Sequence, residues 1–215
     1  RFLYAPHVLL FPGTQERGLQ KLIAGLDTAA LGIVETPAIP WESITRLVVV
    51  DTRQRGRISH VAQLLDRDDV IVELWDHHPD STDDITSPHT YMAHIGSVTS
   101  LIVQAISERG LSLGADYATL LGLGIYGDTG SFTYSSTTQA DFMAAAWLLG
   151  QGMDVNRIDA LAAHELTSLH IQALNSLLES TQTYNINNVQ VTLSEAAMEH
   201  YLGDFAYLAH RRMEM

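Results

Sequence analysis

Two near-continuous apolar runs, Leu47-Val48-Val49-Val50 and Val70-Ile71-Val72-Glu73-Leu74-Trp75, each stop at an aspartate, Asp51 and Asp76. Such runs, without alternating polar positions, mark strands covered on both faces, as in a parallel sheet between layers of helices. Between them Ile58, Val61, Leu64 and Leu65 recur at helical spacing. The segment therefore predicts a strand–helix–strand unit and an α/β fold, a parallel sheet with helices on both faces. An earlier run, His7-Val8-Leu9-Leu10-Phe11, closed by Pro12-Gly13, predicts another buried strand.

The remaining elements follow from punctuation. The polar stretch 80–90 predicts a surface loop, and 97–108 a helix stopped by Gly110. Residues 115–125 predict a buried helix, ending in Gly127-Asp128-Thr129-Gly130. Thr138, followed three residues later by Asp141, predicts a capped helix running to Leu149. Helical periodicity continues from Val155 to about Thr181, with a break near Thr167. Tyr184-Asn185-Ile186-Asn187-Asn188 is turn-rich; a strand over 189–193 and a helix from about Ser194 then begin a second small α/β domain. The expected division is 1–183 for the first domain and 184–215 for a linker and the start of the second.

Charge and composition narrow the function. Of 215 residues, 12 are Lys or Arg and 25 Asp or Glu, a formal net charge of −13, with ten His and no Cys. An acidic chain lacks the basic face that duplex DNA requires, though a small phosphorylated substrate at a local site fits. Without cysteine there is no disulfide framework, thiolate nucleophile or zinc–cysteine site. No apolar run reaches the roughly 20 residues of a membrane span. The chain begins at Arg1, shows no signal-peptide pattern and stops after an amphipathic stretch, so a piece of a longer cytoplasmic protein is expected.

Chemistry concentrates at strand ends. Asp76-His77-His78 follows an apolar strand, at the carboxyl edge of a parallel sheet where ligands gather in open α/β folds. Asp51 ends the neighbouring strand, and Asp128 lies between glycines. Converging carboxylates repel unless a cation neutralises them. Oxygen and imidazole donors without thiolate suit Mn²⁺ or Mg²⁺. Two metals sharing a bridging carboxylate would activate water and clamp a phosphoryl group. Arg53, Arg55 and Arg57 form a local basic patch; it suits a solvated helix start or a phosphate, and Arg53 is the candidate contact. Gly96 and Ser97, after His94, open a helix whose amides could cradle an anion or simply cap it. Trp41, Trp147 and the other histidines carry no matching pattern.

Together these residues resemble the DHH phosphoesterase superfamily. Val48-Val49-Val50-Asp51-Thr52 is similar to its second motif, Asp76-His77-His78 to its third and Gly127-Asp128-Thr129-Gly130 to its fourth, over roughly residues 5 to 180. Members include RecJ-type exonucleases, oligoribonucleases, cyclic-dinucleotide phosphodiesterases and manganese pyrophosphatases. Phe11-Pro12-Gly13-Thr14-Gln15-Glu16 and the segment 125–133 resemble the branch in which this module precedes CBS domains and a poly(A)-polymerase-like nucleotidyltransferase. The resemblance implies that Asp51 bridges two metal ions and that His77 and Asp128 complete one metal site. It implies that His78 faces the scissile phosphate and Asp76 orients the histidine pair. The family's first motif, His-x-Asp-x-Asp, does not occur near the start and would precede Arg1, so the chain holds part of a two-metal site. Val189 onward resembles the beginning of the family's glycine-rich second domain.

The expected activity is therefore hydrolysis of phosphodiester or phosphomonoester bonds in short oligonucleotides or small nucleotides, with two Mn²⁺ in the complete protein and Mg²⁺ as the alternative ion. A role in RNA or tRNA processing is expected for the longer protein, without duplex DNA or membrane partners; a homo-oligomer is compatible. The competing reading is a catalytically incomplete nucleotide-binding or regulatory module. A flavodoxin- or receiver-like domain explains Asp51 but leaves Asp76-His77-His78 and Asp128 unexplained.

Overall fold

The computed structural model of the chain describes residues 3, 7–10, 20, 23–24, 39–162, 167–198, 202–203 and 205–213. Strands β1 (Arg46–Val50), β2 (Ile71–Asp76) and β3 (His89–Met92) form a parallel sheet in that order. Helices flank it: α1 (Val98–Glu108), α2 (Ala115–Asp128), α3 (Gln139–Gly150) and α4 (Val155–Ala162). The α/β expectation holds. Of the expected strand at His7–Phe11, Leu9 carries an isolated β-bridge, while Phe11, Pro12 and Gly13 lie outside the described residues.

Two apolar clusters hold this part together. One joins Val49 and Leu74 of the sheet to Ile58, Val61, Leu64 and Val70. The other unites Val103 and Ile106 of α1, Ala118 and Ile125 of α2, and Ala144 and Leu148 of α3. Each fully buried aliphatic side chain contributes about 1.5–3 kcal/mol by leaving water. Glu73, the polar interruption in the second strand, is buried. Its carboxylate accepts from Arg46 Nη1 at 2.7 Å and from Trp75 Nε1 at 2.9 Å.

Three expectations are corrected. The connection between β1 and β2 is not an α-helix but two 3-10 turns, Arg55–Ile58 and Ala62–Asp66. Buried Ile58, Val61 and Leu64 recur every third residue, the period at which 3-10 side chains eclipse. The polar segment before Thr90 does not remain a loop throughout: His89–Met92 adds the edge strand β3, mostly exposed and thus without an apolar signature. The helix expected from Ser194 is absent over residues 194–198, which are irregular.

Other expectations are met. Ser97 caps α1, its Oγ accepting from Thr99 N–H, and Gly110 follows with φ 65°. Thr138 and Asp141 form a capping box on α3. The break near Thr167 is real: Thr167 caps α5 (Ser168–Glu179) through a box with His170.

The chain divides into two compact units, Arg1–Ala163 and His164–Met215, and α5 lies in the second. This unit contains α5, the antiparallel hairpin β4 (Gln182–Ile186) and β5 (Val189–Leu193), and α6 (Phe205–Met213). Asn187 and Asn188, both at positive φ, make the two-residue hairpin turn that the asparagine pair favours. Ala173, Leu177 and Leu208 form its core.

Candidate metal centre

Parallel register sets the site. Val50 pairs with Trp75, so Asp51, the next residue, emerges beside Asp76 at the carboxyl edge of the sheet. The Asp51 amide still donates to Trp75 O at 2.9 Å, while its backbone turns to φ 66°. That left-handed conformation is unusual for a residue bearing Cβ, though aspartate tolerates it better than most. The chain thus leaves the sheet abruptly, with the carboxylate exposed at the strand tip.

Asp51, His77 and His78 each offer one ligand atom, and these atoms lie within 4.8 Å of one another. His77 Nε2 stands 3.3 Å from Asp51 Oδ1 and His78 Nδ1 4.0 Å from it. His77 Nδ1 lies 3.0 Å from Ile95 O, which accepts its proton and leaves Nε2 on the Asp51 side. A backbone carbonyl holding one ring nitrogen while the other faces a carboxylate is the arrangement of a metal-ligating histidine. The donor set therefore fits a divalent cation. Without one, the hydrogen bond that His77 donates to Asp51 outweighs partial burial and lifts the His77 pKa from 6.5 to about 9.

Asp76 is buried beneath this pair. Its Oδ1 accepts from His77 N–H (2.9 Å), His78 N–H (3.4 Å) and His78 Nδ1 (2.7 Å), and its Oδ2 from Arg53 Nε at 3.0 Å. Burial opposes its charge, but bonds from His78, Arg53 and the two amides prevail and hold the carboxyl below its ordinary range. Asp76 thus touches both histidines and orients His78 directly. Asp128 ends α2 near enough to interact electrostatically with Asp51, His77 and His78. Desolvation and the charge of Asp51 push its carboxyl upward, against a hydrogen bond from Ser97 Oγ at 2.7 Å.

The structure places the three expected substrate contacts differently. Arg53 is neither a solvated helix start nor open to a phosphate; it is 8% exposed, with five acceptors facing its five N–H donors. Besides Asp76, these are Asp80 Oδ1 (3.0 Å), Asp84 Oδ2 (3.1 Å), His78 O (2.9 Å) and Pro79 O (3.2 Å). The guanidinium is a clamp on the loop that carries the histidines. Arg53→Lys, which replaces the planar fork with a point charge, is expected to lower unfolding free energy by about 2–4 kcal/mol, since several acceptors lose their donor. Urea denaturation checks this, and a loss below about 1 kcal/mol would refute the clamp.

Gly96 and Ser97 do cradle an anion, but it is one the protein supplies. Their amides donate to Asp141 Oδ2 (2.9 Å) and Oδ1 (3.1 Å). A Cβ on Gly96 would lie 2.8 Å from Thr129 Cγ2 and 2.9 Å from Asp141 Oδ2, so only glycine permits the approach. The Asp141 network is the feature that sequence reading missed, since the capping box alone explained that residue.

No family model matches the chain. It is 36% identical over 213 residues, 99% of its length, to an A-adding tRNA nucleotidyltransferase of Geobacter sulfurreducens, of which it spans 24%. It is 30% identical over 152 residues, 70% of its length and 44% of the relative, to a Streptococcus mutans protein described as "Probable bifunctional oligoribonuclease and PAP phosphatase". The chain thus covers less than half of these relatives. Among solved structures, an exopolyphosphatase-related protein from Bacteroides fragilis superposes with a TM-score of 0.68 at 17% identity, covering 82% of this chain and 53% of that one. That likeness establishes a shared fold. With the Asp-His-His tripeptide at the sheet edge and relatives of this kind, the resemblance to DHH phosphoesterases holds.

Proposed function

We propose that the chain is the metal-dependent phosphoesterase core of a longer polypeptide, hydrolysing phosphodiester or phosphomonoester bonds of short oligonucleotides or small nucleotides with Mn²⁺. The observation that carries this reading is the convergence of Asp51, His77 and His78 ligand atoms within 4.8 Å at the sheet's carboxyl edge. Asp51, His77 and Asp128 would hold the ion. When bound, the ion would draw negative charge from a phosphoryl group and acidify water. Asp76 keeps the His78 proton on Nδ1, so Nε2 is the nitrogen that meets phosphate or leaving group, accepting a proton or, as imidazolium, donating one. The formal charge of −13 favours short substrates over long polymers.

The Streptococcus relative, named for oligoribonuclease and PAP phosphatase activity, supports a substrate in that size range, and the nucleotidyltransferase relative supports a place in tRNA processing. Among the described residues, no helix is long and apolar enough to cross a membrane. The test is Mn²⁺-dependent hydrolysis by the full-length protein of a labelled RNA dinucleotide, a cyclic dinucleotide and adenosine 3′,5′-bisphosphate. Turnover of at least one substrate, reduced by about 10²–10⁴-fold in His78→Ala, is expected. Bound Mn²⁺ with no turnover of all three would point instead to a nucleotide-binding module.

A further inference from the structure

Ser97 is fully buried, and its amide and its hydroxyl are both committed. Its amide donates to Asp141 Oδ1 at 3.1 Å, its Oγ accepts from Thr99 N–H at 3.1 Å, and its hydroxyl donates to Asp128 Oδ2 at 2.7 Å. With the Thr99 amide on an Oγ lone pair, the hydroxyl proton is directed at Asp128. Asp141 secures this arrangement from the far side. It also accepts from Gly96 N–H (2.9 Å), Ser100 Oγ (2.6 Å), Thr138 N–H (2.8 Å) and Thr138 Oγ1 (2.9 Å). The start of α3 is therefore tied to the start of α1, and the start of α1 to the end of α2, where Asp128 sits.

Resting on the reading of Asp128 as a metal ligand, we propose that Ser97 is a positioning residue that occupies Asp128 Oδ2, so that Oδ1 alone meets the metal, with Asp141 fixing Ser97 in place. The terminal torsion of aspartate is soft and broad, so an unrestrained carboxylate can rotate and coordinate through one oxygen or two. No other hydrogen bond to Asp128 is present among the described residues, so the Ser97 hydroxyl supplies the restraint. Partners that hold a metal-ligating carboxylate in this way commonly change metal affinity by about 10–100-fold when removed.

The test is a double-mutant cycle in the full-length protein, with Mn²⁺ affinity followed by the electron paramagnetic resonance of the free ion. Ser97→Gly removes the hydroxyl while keeping a residue that caps helices well, and Ser97→Thr restores the hydroxyl. Ser97→Gly is expected to weaken Mn²⁺ binding by about 10–100-fold in the wild-type background and by less than threefold when Asp128 is already alanine. Ser97→Thr is expected to bind within about threefold of wild type, which a role in packing alone would not produce. Equal losses in both backgrounds, or wild-type affinity in Ser97→Gly, would overturn the positioning role alone. Wild-type affinity in Asp128→Ala by itself would overturn the underlying ligand assignment and the proposal with it.

Discussion

Asp141→Ala is expected to lower the free energy of unfolding by about 3–5 kcal/mol, the cost of removing one side of a buried charged network. The carboxylate is fully buried and accepts five hydrogen bonds, from two backbone amides at the start of α1, from Ser100, and from the amide and hydroxyl of Thr138. Alanine leaves these donors facing a void from which water is excluded, and each unpaired donor costs about 1–3 kcal/mol, with overlap between neighbours. Asp141→Asn is expected to be nearly as damaging. Its amide nitrogen, placed at Oδ2, would confront the N–H groups of Gly96 and Thr138, donor against donor. The hydrogen bonds outweigh burial and hold the carboxyl below its ordinary range, so the stability it contributes is present near neutrality and lost as acid protonates it. Urea denaturation at pH 7 measures the effect, and a loss below about 1 kcal/mol for Asp141→Ala would show that the network is dispensable.

The second large effect concerns the metal. Asp51→Ala and His77→Ala are each expected to weaken Mn²⁺ binding at least 100-fold, well beyond the roughly 10–100-fold characteristic of residues that only support ligands. Calorimetric titration of the full-length protein checks this; retention of wild-type affinity by either variant would remove that residue from the site. The same titration has a pH signature. With the His77 pKa raised to about 9, Nε2 carries a proton at pH 7 that the ion must displace. One proton per site is expected to be released, and apparent affinity to fall about tenfold for each unit that pH drops below 9. In the metal-free protein the sign reverses: a pKa raised from 6.5 to about 9 gives a stabilising contribution complete below pH 6.5 and lost as pH rises through 9. The metal-free wild type should therefore lose thermal stability across that window, a dependence absent from His77→Ala.

These expectations divide according to what kind of physics made each residue visible. Asp51, Asp76, His77 and His78 stand out in the sequence because apolar runs locate strand ends, and a parallel sheet collects strand ends at one edge. Asp128 is visible as a carboxylate between glycines, although α2 continues through it as an ordinary helix rather than stopping before it. Arg53 illustrates the opposite case. Its proximity to Asp51 in sequence marked it as a basic group near the site, but its function is set by acceptors 23 to 31 residues away, at the end of β2 and on the loop after it. A composition-based reading cannot tell a phosphate-binding arginine from one saturated by internal carboxylates and carbonyls, because both require the same side chain.

Local patterning alone, then, determined the α/β class, the caps at Ser97 and Thr138, the break before α5, and the placing of Asp51, Asp76, His77 and His78 at the sheet edge. Each depends on neighbours within a few residues, where hydrophobic period and side-chain-to-backbone bonding act. Tertiary structure alone decided that Ile58 and Leu64 lie on two 3-10 turns with Val61 between them, since the spacing suits either helix type. It alone added β3, a polar edge strand defined by its pairing with β2 and not by apolar content. It also turned the amides of Gly96 and Ser97 toward Asp141, 45 and 44 residues away, rather than toward a substrate. Which buried donor meets which buried acceptor is settled only when the helices pack, because burial makes an unpaired group costly and so selects the partner.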